Sequence, residues 1–118
     1  MRIMLAPLFV AALALAAPAQ ATGGYLCKTA DGSDVEIAVG FGHVAGAPVV
    51  AKQLKVKGRI VPVEVPQWWL DASEMRLVMT DRESLNELVI LRARPNGMSL
   101  DGTVEWGGKT RWVRCYEN

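Results

Sequence analysis

From Met98 to Trp106 the chain alternates without interruption. Met98, Leu100, Gly102, Val104 and Trp106 fall on one side, and Ser99, Asp101, Thr103 and Glu105 on the other. A period of two is that of a β-strand with one buried face, whereas a helix buries residues three and four apart. Pro95-Asn96-Gly97 supplies a turn ahead of this run, and Gly107-Gly108 turns the chain back into Lys109 to Tyr116. Charge selects the register of the resulting hairpin. A two-residue loop opposes Asp101 to Arg114, sets Val113 beside Gly102, and keeps Cys115 on the Leu100 face. A three-residue loop would oppose Glu105 to Arg111 but would carry Arg114 onto the apolar face. Burying an unpaired arginine costs several kcal/mol, whereas an exposed ion pair returns about 1 kcal/mol at most. The two-residue loop is therefore expected, with Trp112 on the outer face beside Thr103.

The same grammar extends through the rest of the chain. Tyr25-Leu26-Cys27-Lys28-Thr29 precedes the turn Asp31-Gly32-Ser33, after which Val35, Ile37 and Val39 alternate with Asp34, Glu36 and Ala38. The Gly-rich piece Gly40 to Pro48 reads as a surface loop. Gln53, Lys55 and Lys57 alternate with Leu54 and Val56, and Gly58 turns the chain into Ile60 to Val65. Pro62 cannot donate a ladder hydrogen bond, which makes that run an edge strand. Between Asp71 and Arg94 two patterns compete. Asp71 to Glu74 and Thr80 to Glu83 resemble helix capping boxes. Against this, Met75, Leu77 and Met79 alternate with Arg76, Val78 and Thr80, and Val89, Leu91 and Ala93 alternate with Ile90, Arg92 and Arg94. Two strands joined by a turn around Asp81 to Ser84 are preferred, because the residues are β-formers. About eight short strands with no room for crossover helices describe an all-β chain, an antiparallel barrel or sandwich.

The N-terminus reads as an export leader. Arg2, an apolar run of about 14 residues from Met4 to Ala17, and Ala19-Gln20-Ala21 have the layout of a cleaved signal peptide, too short to span a bilayer. Cleavage after Ala21 leaves residues 22–118 as one exported β domain, periplasmic or secreted, with no membrane insertion expected. In that segment 12 Lys and Arg balance 12 Asp and Glu. A neutral chain has no general attraction to phosphate backbones, so nucleic acid is not an expected partner. Cys27 and Cys115 lie near the two ends of the mature chain, and an even count in an exported domain reads as a disulfide.

Few residues point to catalysis. His43 is the sole histidine and lies in the Gly-rich loop, where an imidazole lacks the rigid orientation a general base needs. One histidine and two paired cysteines imply no metal site, and no cofactor motif is present. Pairs drawn from Asp71, Glu74, Asp81 and Glu83 would serve sugar hydrolysis only in a deep cleft, which a chain with short loops seldom builds. Binding is better represented. Adjacent residues of a strand face opposite ways, so at least one of Trp68 and Trp69 is expected at the surface. An exposed indole beside Gln67 and Asp71 is suited to stacking on a sugar or anchoring a protein. Trp112 is a further candidate. Lys52, Lys55, Lys57 and Arg59 form a basic strip, read first as a solvated edge that resists aggregation.

Tyr25-Leu26-Cys27 at the start, Trp106 before Gly107-Gly108, and Lys109-Thr110 leading to Val113-Arg114-Cys115 together resemble the small periplasmic inhibitors of C-type lysozyme. The resemblance implies an exported eight-stranded β-barrel with a cysteine near each end, one that inserts a Ser-Gly-x-x-Tyr loop into the lysozyme cleft. That loop motif is missing here, since Met98-Ser99-Leu100-Asp101-Gly102 does not match it. No functional residue therefore carries over. The expected function is a non-enzymatic domain that contacts a protein or cell-envelope glycan through exposed tryptophan. Lysozyme inhibition is one form of this, and the alternatives are an assembly accessory acting by edge-strand pairing and, last, a small hydrolase.

Overall fold

A computed structural model describes residues 23–42 and 48–118. The expected leader and His43 lie outside them. The described chain is all β: β1 (Gly23–Thr29), β2 (Val35–Phe41), β3 (Val49–Val56), β4 (Arg59–Val61), β5 (Glu64–Leu70), β6 (Met75–Thr80), β7 (Glu87–Asn96), β8 (Ser99–Trp106) and β9 (Lys109–Glu117). The nine strands form one antiparallel sheet in the order β4-β3-β2-β1-β9-β8-β7-β6-β5. Two meanders thus meet where the first strand pairs with the last. Cys27 stands opposite Cys115 in that pairing, and their sulfurs are bonded.

The alternation read in the sequence becomes the core. In β2 every second residue, Val35, Ile37, Val39 and Phe41, is buried. The same holds for Met75, Leu77 and Met79 in β6 and for Val89, Leu91 and Ala93 in β7. Each fully enclosed side chain such as Ile37, Leu54 or Leu91 contributes about 1.5–3 kcal/mol by leaving water. Gly107 and Gly108 both adopt positive φ, 61° and 78°, which closes the β8–β9 hairpin in two residues. Leu100 opposes Cys115, Asp101 opposes Arg114, and Thr103 opposes Trp112, the register that charge selects.

Three sequence expectations change, while the preferred two-strand reading of Asp71 to Arg94 holds. Ile60 to Val65 is not one edge strand: it breaks at Pro62-Val63, and its halves β4 and β5 form the two opposite edges of the sheet. Three Cα steps from Val61 to Glu64 span at most about 11 Å, so the edges must approach and the sheet must curl. Lys52 of β3 reaches across that gap to the Glu64 carboxylate, and Val63 is buried between them. Met98 does not join the inner face, because the β7–β8 turn is Gly97-Met98 and leaves Met98 almost wholly exposed. Gly40 and Phe41 belong to β2 rather than to the loop, their backbones pairing with Ala51 and Val49. The capping-box patterns belong to strand-joining turns, and among the described residues there is no helix, so none long and apolar enough to cross a membrane.

Candidate functional site

The outer face of β5, β6 and β7 carries an open groove walled by an exposed tryptophan. Gln67 pairs with Val78, Trp69 with Arg76, and these continue in register to Ile90 and Arg92. Being opposite the core residues in phase, all six point away from the interior. They line an open groove of about 260 Å³ with an apolar floor, Val78 and Ile90, and a polar rim, Gln67, Arg76 and Arg92. Trp69 forms one wall and is 50% exposed.

The β5–β6 turn explains why an exposed indole holds one orientation. Asp71 Oδ1 accepts from the Ser73 amide at 2.8 Å, the Ser73 hydroxyl at 2.7 Å and the Glu74 amide at 2.9 Å. This is an Asx-type turn, in which a short carboxylate substitutes for backbone acceptors. Its second oxygen accepts from Trp69 Nε1 at 2.9 Å, pinning the edge of the ring. The Arg76 guanidinium stands 5.5 Å from the ring centroid, within cation–π range. Bonds from Ser73, through hydroxyl and amide, and then from the Trp69 indole hold the Asp71 carboxyl down at about 2. Arg76 itself is incompletely paired. Its Nε lies 3.5 Å from a Glu74 carboxylate oxygen without a hydrogen bond to it, and that nitrogen is buried with no bonded partner.

The other expected residues are distributed around the sheet. Trp68 pairs with Leu77 and faces the inner side, 38% exposed, beside Lys52, Glu64 and Val65 in a second groove of about 330 Å³ at the gap between β3 and β5. Trp112 is on the outer face as expected and is 69% exposed. It shares a cross-strand row with Trp69: Trp69, Arg76, Arg92, Thr103, Trp112. Four strand spacings, about 19 Å along the sheet, separate the two indoles, so they do not wall the same groove. The basic residues do not share a face. Lys52 shares the phase of inward Leu54 and meets Glu64, Lys55 opposes Glu36 on the outer side, Lys57 lies in the turn, and Arg59 is paired with Val56 on β4.

The carboxylates considered for hydrolysis fall into two groups at opposite ends of β6. Asp71 and Glu74 belong to the turn before β6, Asp81 and Glu83 to the turn after it, and six strand residues separate the two turns by roughly 17–20 Å. Paired glycosidase carboxyls stand about 5–10 Å apart. Asp81 is itself occupied, accepting from the Leu85 amide and the Asn86 side chain, and its carboxyl is lowered chiefly by Asn86. Among the described residues no group of three or more His, Cys, Asp or Glu is placed to hold a metal ion.

Arg76, Val78, Ile90 and Arg92 were not singled out by sequence reasoning. Alternation already turns them outward, but only the β6–β7 register brings them together. Comparison with protein families, with characterised proteins and with solved structures gives no match for this chain.

Proposed function

We propose that this protein is a non-enzymatic binding domain of the cell envelope that holds a saccharide chain in the groove beside Trp69. The observation that carries this reading is an indole half exposed yet fixed, its Nε1 bonded to Asp71 and its ring next to the Arg76 guanidinium. An aromatic plane already locked loses little conformational freedom on binding, which leaves more of the stacking energy as affinity. The amphipathic lining suits a sugar, with apolar C–H faces against Val78, Ile90 and the indole and hydroxyls toward Gln67 and the arginines. A Cys27–Cys115 disulfide accords with an oxidising compartment, as the leader at Met1 to Ala21 does.

The test is a tryptophan-fluorescence titration with soluble peptidoglycan fragments. The intact protein should give a saturable shift, Trp69→Ala should abolish it, and Trp112→Ala should retain it. Each variant's fold is checked by far-ultraviolet circular dichroism, and exposure of both indoles makes loss of fold unexpected. A saturable response that survives Trp69→Ala, or no response from the intact protein, overturns the reading.

A further inference from the structure

Elsewhere on the outer face, strand pairing sets cations beside carboxylates, and where Lys28 opposes Arg114 each of the two has a carboxylate of its own. Arg114 opposes Asp101 and donates two hydrogen bonds to it, both 2.8 Å. Lys28 opposes Glu36 with its ammonium 3.6 Å from the carboxylate. Arg94 opposes Asp101 from the other side. Arg76 and Arg92, by contrast, oppose each other. Directly opposed side chains have Cβ atoms about 5 Å apart, and like charges so placed destabilise a sheet.

Neither arginine is fully compensated. Among the described residues no carboxylate lies within ion-pair distance of Arg92, and Arg76 has Glu74 at 3.5 Å with its buried Nε unbonded. Two arginines opposed in register and both lining the groove can share an anion between them. A planar carboxylate accepts from such forks with two oxygens.

We infer that the groove takes a carboxylate-bearing saccharide, whose sugar ring stacks on Trp69 and whose carboxylate lies between Arg76 and Arg92. This rests on the saccharide reading of the Trp69 groove and adds the chemical class of the ligand. Trp69 supplies the neutral part of recognition and the arginine pair the charged part. An acidic sugar would relieve the repulsion between strands β6 and β7, so binding should also stabilise the sheet against heat.

Tetragalacturonate and its fully methyl-esterified form are the probes, equal in length and differing in charge. Calorimetric titration should show the acid binding about tenfold more tightly than the ester or better, as expected for charge-assisted hydrogen bonds. Arg92→Gln and Arg76→Gln should each weaken the acid by a larger factor than the ester, so that the acid preference shrinks, and Arg92→Lys should recover part of that preference. Equal affinity of acid and ester, or an acid preference untouched by either substitution, overturns the carboxylate assignment. Because the ester carries no charge and the peptidoglycan titration is separate, those results leave the Trp69 reading standing. No binding of either probe also overturns the assignment, and the peptidoglycan titration then decides the saccharide reading by itself. Displacement of the acid by millimolar inorganic phosphate as readily as by more tetragalacturonate would reveal a bare anion site and overturn it as well.

Discussion

Asp71 shows how one short side chain converts an exposed aromatic into an oriented one. Its carboxylate closes the β5–β6 turn through Ser73 and Glu74 and holds Trp69 by the indole nitrogen. Those donors favour the ionised form and lower the carboxyl from 3.8 to about 2. The sign follows directly: a group whose folded-state pKa is depressed contributes fully above its unfolded value, and that contribution is lost as pH falls through the folded one. The Trp69 indole N–H resonance should therefore stay constant down to pH near 3.8 and move with a midpoint near 2. Asp71→Asn should abolish that transition. A midpoint near the ordinary carboxyl value would show that the Asp71 turn with its Ser73 and Trp69 bonds does not form in solution. Asp31 and Asp101 are lowered in the same direction, by Ser33 ahead of Arg111 and by Arg114 ahead of Asn96 respectively.

At Gly102 the strands β7 and β8 approach closely. An added Cβ at Gly102 would lie 1.8 Å from the Arg92 carbonyl oxygen and 2.7 Å from the Ala93 Cα, both backbone atoms that cannot swing aside. Gly102→Ala must then separate the strands, and an overpacked site of this kind costs about 1–3 kcal/mol. In a domain of this size the melting temperature should fall by roughly 5–20 °C; an unchanged melting temperature would mean that the two strands are not so close. The β8–β9 register was legible because a wrong choice would bury Arg114, an error large enough to decide. The break at Pro62-Val63 was not, since alternation and a proline read alike whether a chain runs along one edge or passes from one edge to the other. Nor was the Arg76–Arg92 juxtaposition. The connection between β6 and β7 is six residues long, Asp81 to Asn86, and a loop of that length leaves register free where a tight turn would set it. The free edges are also managed at this scale. β4 has three residues, β5 carries Pro66, and Lys52 with Glu64 spans the gap, each a recognised defence against unwanted strand pairing.

At the scale of the whole molecule the decisive contact is β1 with β9, because its backbone ladder joins two meanders whose other edges are linked by the Pro62-Val63 connection and the Lys52–Glu64 contact. Five register pairs and one disulfide hold that junction, and the bond closes a sequence separation of 88 residues. In the chain-entropy account, a loop this long restricts the unfolded state by about 4–5 kcal/mol, near the upper end of what disulfides supply. Both cysteines are wholly buried, so removing the sulfurs also opens space in the core, a second loss that the entropic term does not include. Two double variants separate the contributions. Cys27→Val with Cys115→Val keeps most of the apolar volume and should lose about 2–5 kcal/mol by denaturant unfolding, while retaining the sheet through the β1–β9 ladder. Cys27→Ala with Cys115→Ala should lose more, by a margin that reports the cavity. Equal stability of the valine variant and the intact protein would mean that the unfolded chain already keeps its ends together. The groove beside Trp69 lies on β5, β6 and β7, two and more strands from this junction, so its oriented indole should persist in the valine variant at temperatures where the sheet remains folded.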